Sequence, residues 1–207
     1  TEAQAAGRSI KDLERLRDDC LVSVMQALKQ HKQGAGQVLI EDEARRYQAR
    51  KLSRWKQGDA VPAPFAVYEG PVEMGWLDYN GHMTESRYLF VCSETCDNFL
   101  RMIGAGMDYV AAGHSFYTAE THIRHLGEAK LGDQIRGEMQ ILSADEKRFR
   151  SFVRIMVGET CVATVEQLCL HVDMKAGKTM AASAEVWRNQ KEINKAHAGM
   201  HMHERDE

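Results

Sequence analysis

An aspartate at position 78, a glycine at 81 and a helix-forming stretch just beyond them are the residues of this chain whose types and spacing suit chemistry. In Trp76-Leu77-Asp78-Tyr79-Asn80-Gly81-His82-Met83-Thr84-Glu85-Ser86-Arg87-Tyr88 the carboxylate stands in a turn, before any periodic element begins. Apolar residues then recur at Tyr88, Leu89, Cys92, Cys96, Phe99, Leu100 and Ile103, the spacing of one helix face, with Thr84 as N-cap and Gly104 as stop. Such a helix points its unpaired N–H groups and the positive end of its dipole back at Asp78. A carboxylate that activates water or attacks a carbonyl, set beside donors that hold an oxyanion, suits acyl transfer. Gly81 supplies a backbone conformation that a side chain would disfavour. Asn80 and His82 either orient Asp78 or its water, or serve as turn former and supporting residue.

The elements that must position this turn follow from periodicity. One short extended segment, 65–72, precedes the helix, and four stretches of strand character follow it at 116–125, 134–144, 148–157 and 161–173. Phe152, Arg154 and Met156 share one parity, as do Val162, Thr164, Glu166, Leu168, Leu170 and Val172. Ala144-Asp145-Glu146-Lys147 and Val157-Gly158-Glu159-Thr160 suit antiparallel hairpins. One helix followed by a run of antiparallel strands implies an α+β domain whose sheet wraps the helix, here over 65–188. Ahead of it, residues 1–60 read as a helical appendage, with an amphipathic helix at 9–31, a charged one at 38–51 and a polar linker at 53–59. Residues 189–207 read as a polar, disordered tail carrying His197, His201 and His203.

A formal net charge of −3 over 207 residues excludes a general nucleic-acid binder, and no apolar run reaches the ~18 residues of a membrane span. Five cysteines without a C-x-x-C pair fit a reducing, cytoplasmic setting, with Cys92 and Cys96 as buried apolar residues. Gly34-Ala35-Gly36 follows a helix and lacks a third glycine, so it is no dinucleotide fingerprint. No metal site and no cofactor are expected.

The order of short strand, Asp78-Tyr79-Asn80-Gly81-His82-Met83, helix and antiparallel meander resembles the hotdog-fold acyl-CoA thioesterases of the 4-hydroxybenzoyl-CoA thioesterase type, over about 65–187. Asp78, Gly81 and Tyr88 match that family's motif. The segment 76–88 together with Tyr117-Thr118-Ala119-Glu120-Thr121-His122-Ile123-Arg124-His125-Leu126-Gly127-Glu128 is similar to the betainyl-CoA thioesterase regions fused behind L-carnitine dehydrogenases, and residues 12–21 look like the closing helix of such a dehydrogenase. The resemblance implies hydrolysis of an acyl-CoA thioester, betainyl-CoA within that subfamily, with the Glu85 N–H as oxyanion donor and at least a homodimer whose sites lie at the subunit interface. A trimethylammonium acyl group is held by aromatic faces and carboxylates, for which Trp76, Tyr79, Tyr88, Phe116 and Tyr117, with Glu85 and Glu120, are candidates. Arg124, Lys130, Lys147 and Arg148 are candidates for the CoA phosphates. His122 and His125 have opposite parity on one strand, so at most one of them faces the site. Two rival readings are a hotdog enoyl-CoA hydratase and a non-catalytic dimerisation module. The hydratase motif Asp-x-Asn-Pro-x-His is not met, since Gly81 and Met83 stand at its proline and histidine.

Overall fold

The computed structural model describes residues 55–202, so the two helices expected near the N-terminus lie outside the described residues. In chain order it contains β1 (Phe65–Pro71), a 3-10 turn (Met74–Trp76), α1 (Glu85–Met102), α2 (Met107–Ala111), β2 (His114–His125), β3 (Gln134–Asp145), β4 (Arg148–Val157), β5 (Thr160–Asp173), β6 (Lys178–Thr179) and α3 (Ala184–His197). The strands form one antiparallel sheet in the order β1-β3-β4-β5-β2, with the short β6 beside β5. This is the hotdog arrangement, with the concave face of the sheet wrapped around α1.

Hydrophobic alternation decides which face each strand shows to the helix. On β4, Phe149, Ser151, Val153 and Ile155 are fully buried while Arg150, Phe152 and Arg154 are half exposed on the outer face. The β4–β5 hairpin turns at Gly158, whose φ of 57° is the left-handed conformation a tight hairpin demands. At the β3–β4 hairpin the Asp145 carboxylate accepts the Lys147 N–H at 2.8 Å, a side-chain-locked turn. Both hairpins fall where turn chemistry places them.

α1 buries Tyr88, Val91, Cys92, Thr95, Cys96, Asn98 and Phe99 in one stripe. Its approach to the sheet is close at Gly137, where an added Cβ would collide with the Thr95 hydroxyl and press on Tyr68. Two buried polar groups on this face are paired locally. Thr95 donates to the Val91 carbonyl, and Asn98 Nδ2 donates at 2.6 Å to the Val67 carbonyl at the bulge in β1. Phe65, Phe99 and Phe149 continue the core beneath the helix.

Two expectations are corrected. The polar tail expected from 189 is instead helical through His197, and α3 buries Val186, Asn189, Gln190, Ile193 and His197 against β3 and the end of α1. Its low apolar content misleads because two of the buried groups are polar and paired: Asn189 donates to the Ile103 carbonyl, and His197 bridges the Ile141 N–H and the Pro62 carbonyl at 3.0 and 2.9 Å. The linker expected at 53–59 includes Trp55, which is only 3% exposed and belongs to the core.

Candidate active site

The Asp78 turn is closed by backbone bonds in both directions. The Asp78 N–H donates to the His82 carbonyl at 2.8 Å, and the Gly81 N–H to the Asp78 carbonyl at 3.1 Å. Gly81 has φ of 81°, so the turn needs a residue without a Cβ even though the space beside it is open. On the side-chain level, Asp78 Oδ1 accepts the N–H of Asn80 at 2.8 Å and of His82 at 3.2 Å, which leaves Oδ2 outside those two bonds. Desolvation pushes the carboxyl pKa up. The His82 and Asn80 N–H groups, the Asn80 side chain and the His82 charge outweigh it and hold Asp78 below the ordinary carboxylate value. Asp78 is thus an ionised carboxylate throughout the neutral range.

The turn is tied to its surroundings by a sheet-like bridge of Leu77 to Met83 and of His82 to Lys130. The Thr84 N–H donates to the Trp76 carbonyl and the Met83 N–H to the Ala129 carbonyl. α1 begins directly behind. Thr84 occupies its N-cap position, yet the Thr84 side chain makes no capping bond, and the N–H groups of Glu85 and Ser86 meet no backbone acceptor among the described residues. Uncapped first-turn donors that follow directly on the turn holding an ionised carboxylate are the two kinds of group that acyl transfer uses.

Several other sequence candidates meet here. Tyr88 is 3% exposed, and its hydroxyl accepts the Ala129 N–H at 3.2 Å and donates to the Gly127 carbonyl at 3.4 Å. Burial pushes its pKa up, so it stays a neutral donor. Tyr88 is therefore a brace for the loop 127–129, with His125 packed edge-on against its ring at 5.0 Å, and not an open wall for substrate. Of the two histidines at the C-terminal end of β2, His125 faces inward and His122 outward. Trp76 is buried, and its ring is covered by the Arg87 guanidinium at 5.6 Å and by Phe90 edge-on at 5.4 Å. The cation on the Trp76 ring is thus the protein's own. Tyr79, by contrast, stands 97% exposed at the tip of the turn.

Other candidates lie elsewhere in the same chain. Phe116 packs on Phe149 and His171 in the core. Nine residues of strand separate it from His125, roughly 30 Å at ~3.3 Å per residue. Tyr117 pairs with Leu170, and Leu170 with Arg148, so Tyr117, Lys147 and Arg148 share that distant end. Arg148 is engaged with Asp145 at 2.7 Å, beside a surface cavity of about 280 Å³ lined by Ser143, Ala144, Asp145, Arg148, Arg150 and Leu168. Glu120 and Arg124 sit on the outer face, where Glu120 joins Arg150 and Glu166. A bulge at Ala119 is the cause: it inverts the parity of β2, so that Phe116 and Thr118 face inward before it and Thr121, Ile123 and His125 after it.

Sequence reasoning missed Glu128 as a site residue. Its Oε2 lies 3.1 Å from His82 Nε2, and only the bridge between His82 and Lys130 brings them together, a long-range pairing without a local signature. Arg87 and Phe90, which dress Trp76, were also missed, although their helical spacing of three residues placed them on one face.

Comparison with known proteins gives these residues relatives. Residues 72–190 match the family model described as the thioesterase-like superfamily. A Rhizobium meliloti protein named L-carnitine dehydrogenase/betainyl-CoA thioesterase is 48% identical over 204 residues, covering 96% of this chain and 41% of that protein. The chain thus spans about two fifths of the length of that curated relative. A Pseudomonas aeruginosa betainyl-CoA thioesterase is 31% identical over 137 residues, which are 65% of this chain and 86% of its own length. Among solved structures, a Staphylococcus aureus protein in complex with CoA superposes with a TM-score of 0.64 at 19% identity, over 70% of this chain and 92% of that one. A 1,4-dihydroxy-2-naphthoyl-CoA thioesterase from Synechocystis gives 0.54 at 17%, over 62% and 93%. At these identities the two structures speak for the fold.

Proposed function

Since the chain belongs to the thioesterase-like superfamily, we propose that it hydrolyses an acyl-CoA thioester, with Asp78 as the reacting carboxylate. The observation that carries this reading is the Asp78 side chain itself, held ionised by two N–H groups in the turn that leads into the uncapped N-terminus of α1. As general base, Asp78 takes a proton from water, whose oxygen adds to the thioester carbon; as nucleophile, it forms a mixed anhydride that water then opens. In either route the developing oxyanion is received by the Glu85 N–H, a donor of the kind whose loss typically costs ~2.7–4 kcal/mol of barrier. Gly81 keeps the turn, and Asn80 holds the carboxylate through its N–H.

The acyl group we assign is betainyl, on the strength of relatives named for that substrate. With the Trp76 ring already carrying Arg87, the aromatic faces for a trimethylammonium group must come largely from beyond this cluster. A homodimer formed by antiparallel pairing of two β2 edges supplies them. Such pairing is two-fold symmetric about the middle of the strand, and it sets the Tyr117 and Arg148 end of one protomer beside the Asp78 end of the other. Lys130, next to His82 in the bridge, is the CoA-phosphate candidate that one chain provides by itself. A reducing, cytoplasmic setting accords with the unpaired thiols of Cys92, Cys96, Cys161 and Cys169.

Thiol release from betainyl-CoA, acetyl-CoA, 4-hydroxybenzoyl-CoA and crotonyl-CoA, run beside Asp78→Asn, tests the proposal. Turnover selective for betainyl-CoA, with kcat lowered ~100-fold or more in the variant and the fold retained, is the expected result. Release from the neutral thioesters alone would discard the betainyl assignment. Near-normal activity of Asp78→Asn would remove Asp78 from the chemistry, and no release from any thioester would favour a dimerisation module.

A further inference from the structure

Glu128 has no role in the mechanism so far, yet a chain of contacts leads from the core to its carboxylate and on to Asp78. Tyr88, fixed in α1, pins the loop at both the Gly127 carbonyl and the Ala129 N–H, so Glu128 between them has a defined backbone position. The Glu128 side chain then meets His82 Nε2 at 3.1 Å. His82 is bound to Asp78 through two backbone contacts, and Lys130 lies across the bridge from it. An imidazole held at Nε2 by a carboxylate has its ring orientation set, and its remaining nitrogen, Nδ1, is the one available to a reacting group.

We propose that Glu128 is a positioning residue that aims His82 Nδ1 at the departing sulfur, so that His82 protonates the CoA thiolate as it leaves. The inference rests on the thioesterase reading above and deepens it. In the general-base route, Asp78 accepts one proton of water and the hydroxide oxygen bonds to the carbonyl carbon. The C–S bond then breaks with its electron pair passing to sulfur, and His82, entering the step as an imidazolium with its Nε2–H on Glu128, gives its Nδ1 proton to make CoA thiol. The carboxylic acid product sheds its proton to solvent, and the proton on Asp78 restores His82, so the net change is thioester plus water to carboxylate, thiol and one proton.

An alkyl thiol such as CoA is a weak acid and gains from a proton donor at this step, whereas an acidic aryl thiol leaves unaided. The test therefore measures kcat for Glu128→Ala, Glu128→Gln and His82→Gln on three thioesters of one acyl group: CoA, N-acetylcysteamine and 2-nitro-5-thiobenzoate. The expected result is a ~10- to 100-fold loss of kcat for Glu128→Ala and His82→Gln on both alkyl thioesters, with KM little changed, and a loss under about threefold on the aryl thioester. Glu128→Gln, which keeps an oxygen acceptor, should recover part of the loss, and the Glu128→Ala, His82→Gln double variant should be no worse than His82→Gln. Equal losses on alkyl and aryl thioesters, or none on either, would overturn the proposal. A loss on CoA but not on N-acetylcysteamine would also overturn it, by making Glu128 a determinant of nucleotide binding. A wild-type protein inactive on all three would instead count against the thioesterase reading.

Discussion

The two edges of the sheet are treated in opposite ways. On one side β1 is short and pairs with β3 only from Gln134 to Met139, so beyond Met139 the side of β3 away from β4 has no strand partner. α3 closes that gap. His197 Nδ1 accepts the Ile141 N–H, Gln140 donates to the Met200 carbonyl, and Ile193 packs into the core. On the other side β2 presents 12 residues, with Tyr117 to His122 exposed, and no element of the described chain covers them. Unpaired edges are templates for association, and natural proteins shield them or put them to use. Here one edge is satisfied within the chain, and the other, open among the described residues, is the one proposed above to pair with a second copy.

The largest effect should come from uncovering the closed edge. His197→Ala removes a buried ring that packs on Phe65 and leaves the Ile141 N–H and Pro62 carbonyl without partners. A loss of about 2–4 kcal/mol is expected, read as a fall in Tm of roughly 6–12 °C. A Tm within ~2 °C of wild type would mean that α3 does not guard the edge.

Hydrogen exchange sharpens the contrast itself. Amides of β3 from Gln140 onward should be protected at every protein concentration. Amides of β2 on the side away from β5 should slow by ~10-fold or more, about 1.4 kcal/mol, as concentration rises through the dimerisation range. Concentration-independent exchange on β2 would leave that edge unused.

The smallest effect is in the pH dependence. Burial lowers the pKa of His197 below the ordinary 6.5, against the bond to Pro62 that raises it, and burial lowers that of His171 likewise. With the folded values depressed, the unfolded chain binds the extra protons, so stability is intact above pH ~6.5 and declines as pH falls below it. Thermal melts between pH 7.5 and 5 should show this decline, and His197→Gln, though less stable throughout, should show a shallower one. An unchanged slope in the variant would mean that His197 titrates alike in both states.

Much of this molecule is legible in its sequence because the relevant signals are local. Alternation on β4, the turn residues at Asp145 and Gly158, the apolar stripe of α1 and the Asp78-to-Gly81 turn are each written within a few residues, and each element forms where its pattern lies. Tertiary structure alone decided the rest. The bulge at Ala119 reversed which β2 side chains face α1, removing Glu120 and Arg124 from the site, and no local pattern announces such a shift. Trp55 and His197 are buried because distant segments receive them, in spite of polar neighbours. Tyr88 braces a loop some 40 residues away, and Glu128 reaches His82 only through that loop. Periodicity and turn chemistry act between near neighbours and can be read from order alone; which groups share a site depends on long-range pairing, whose register exists only once the sheet has closed around the helix.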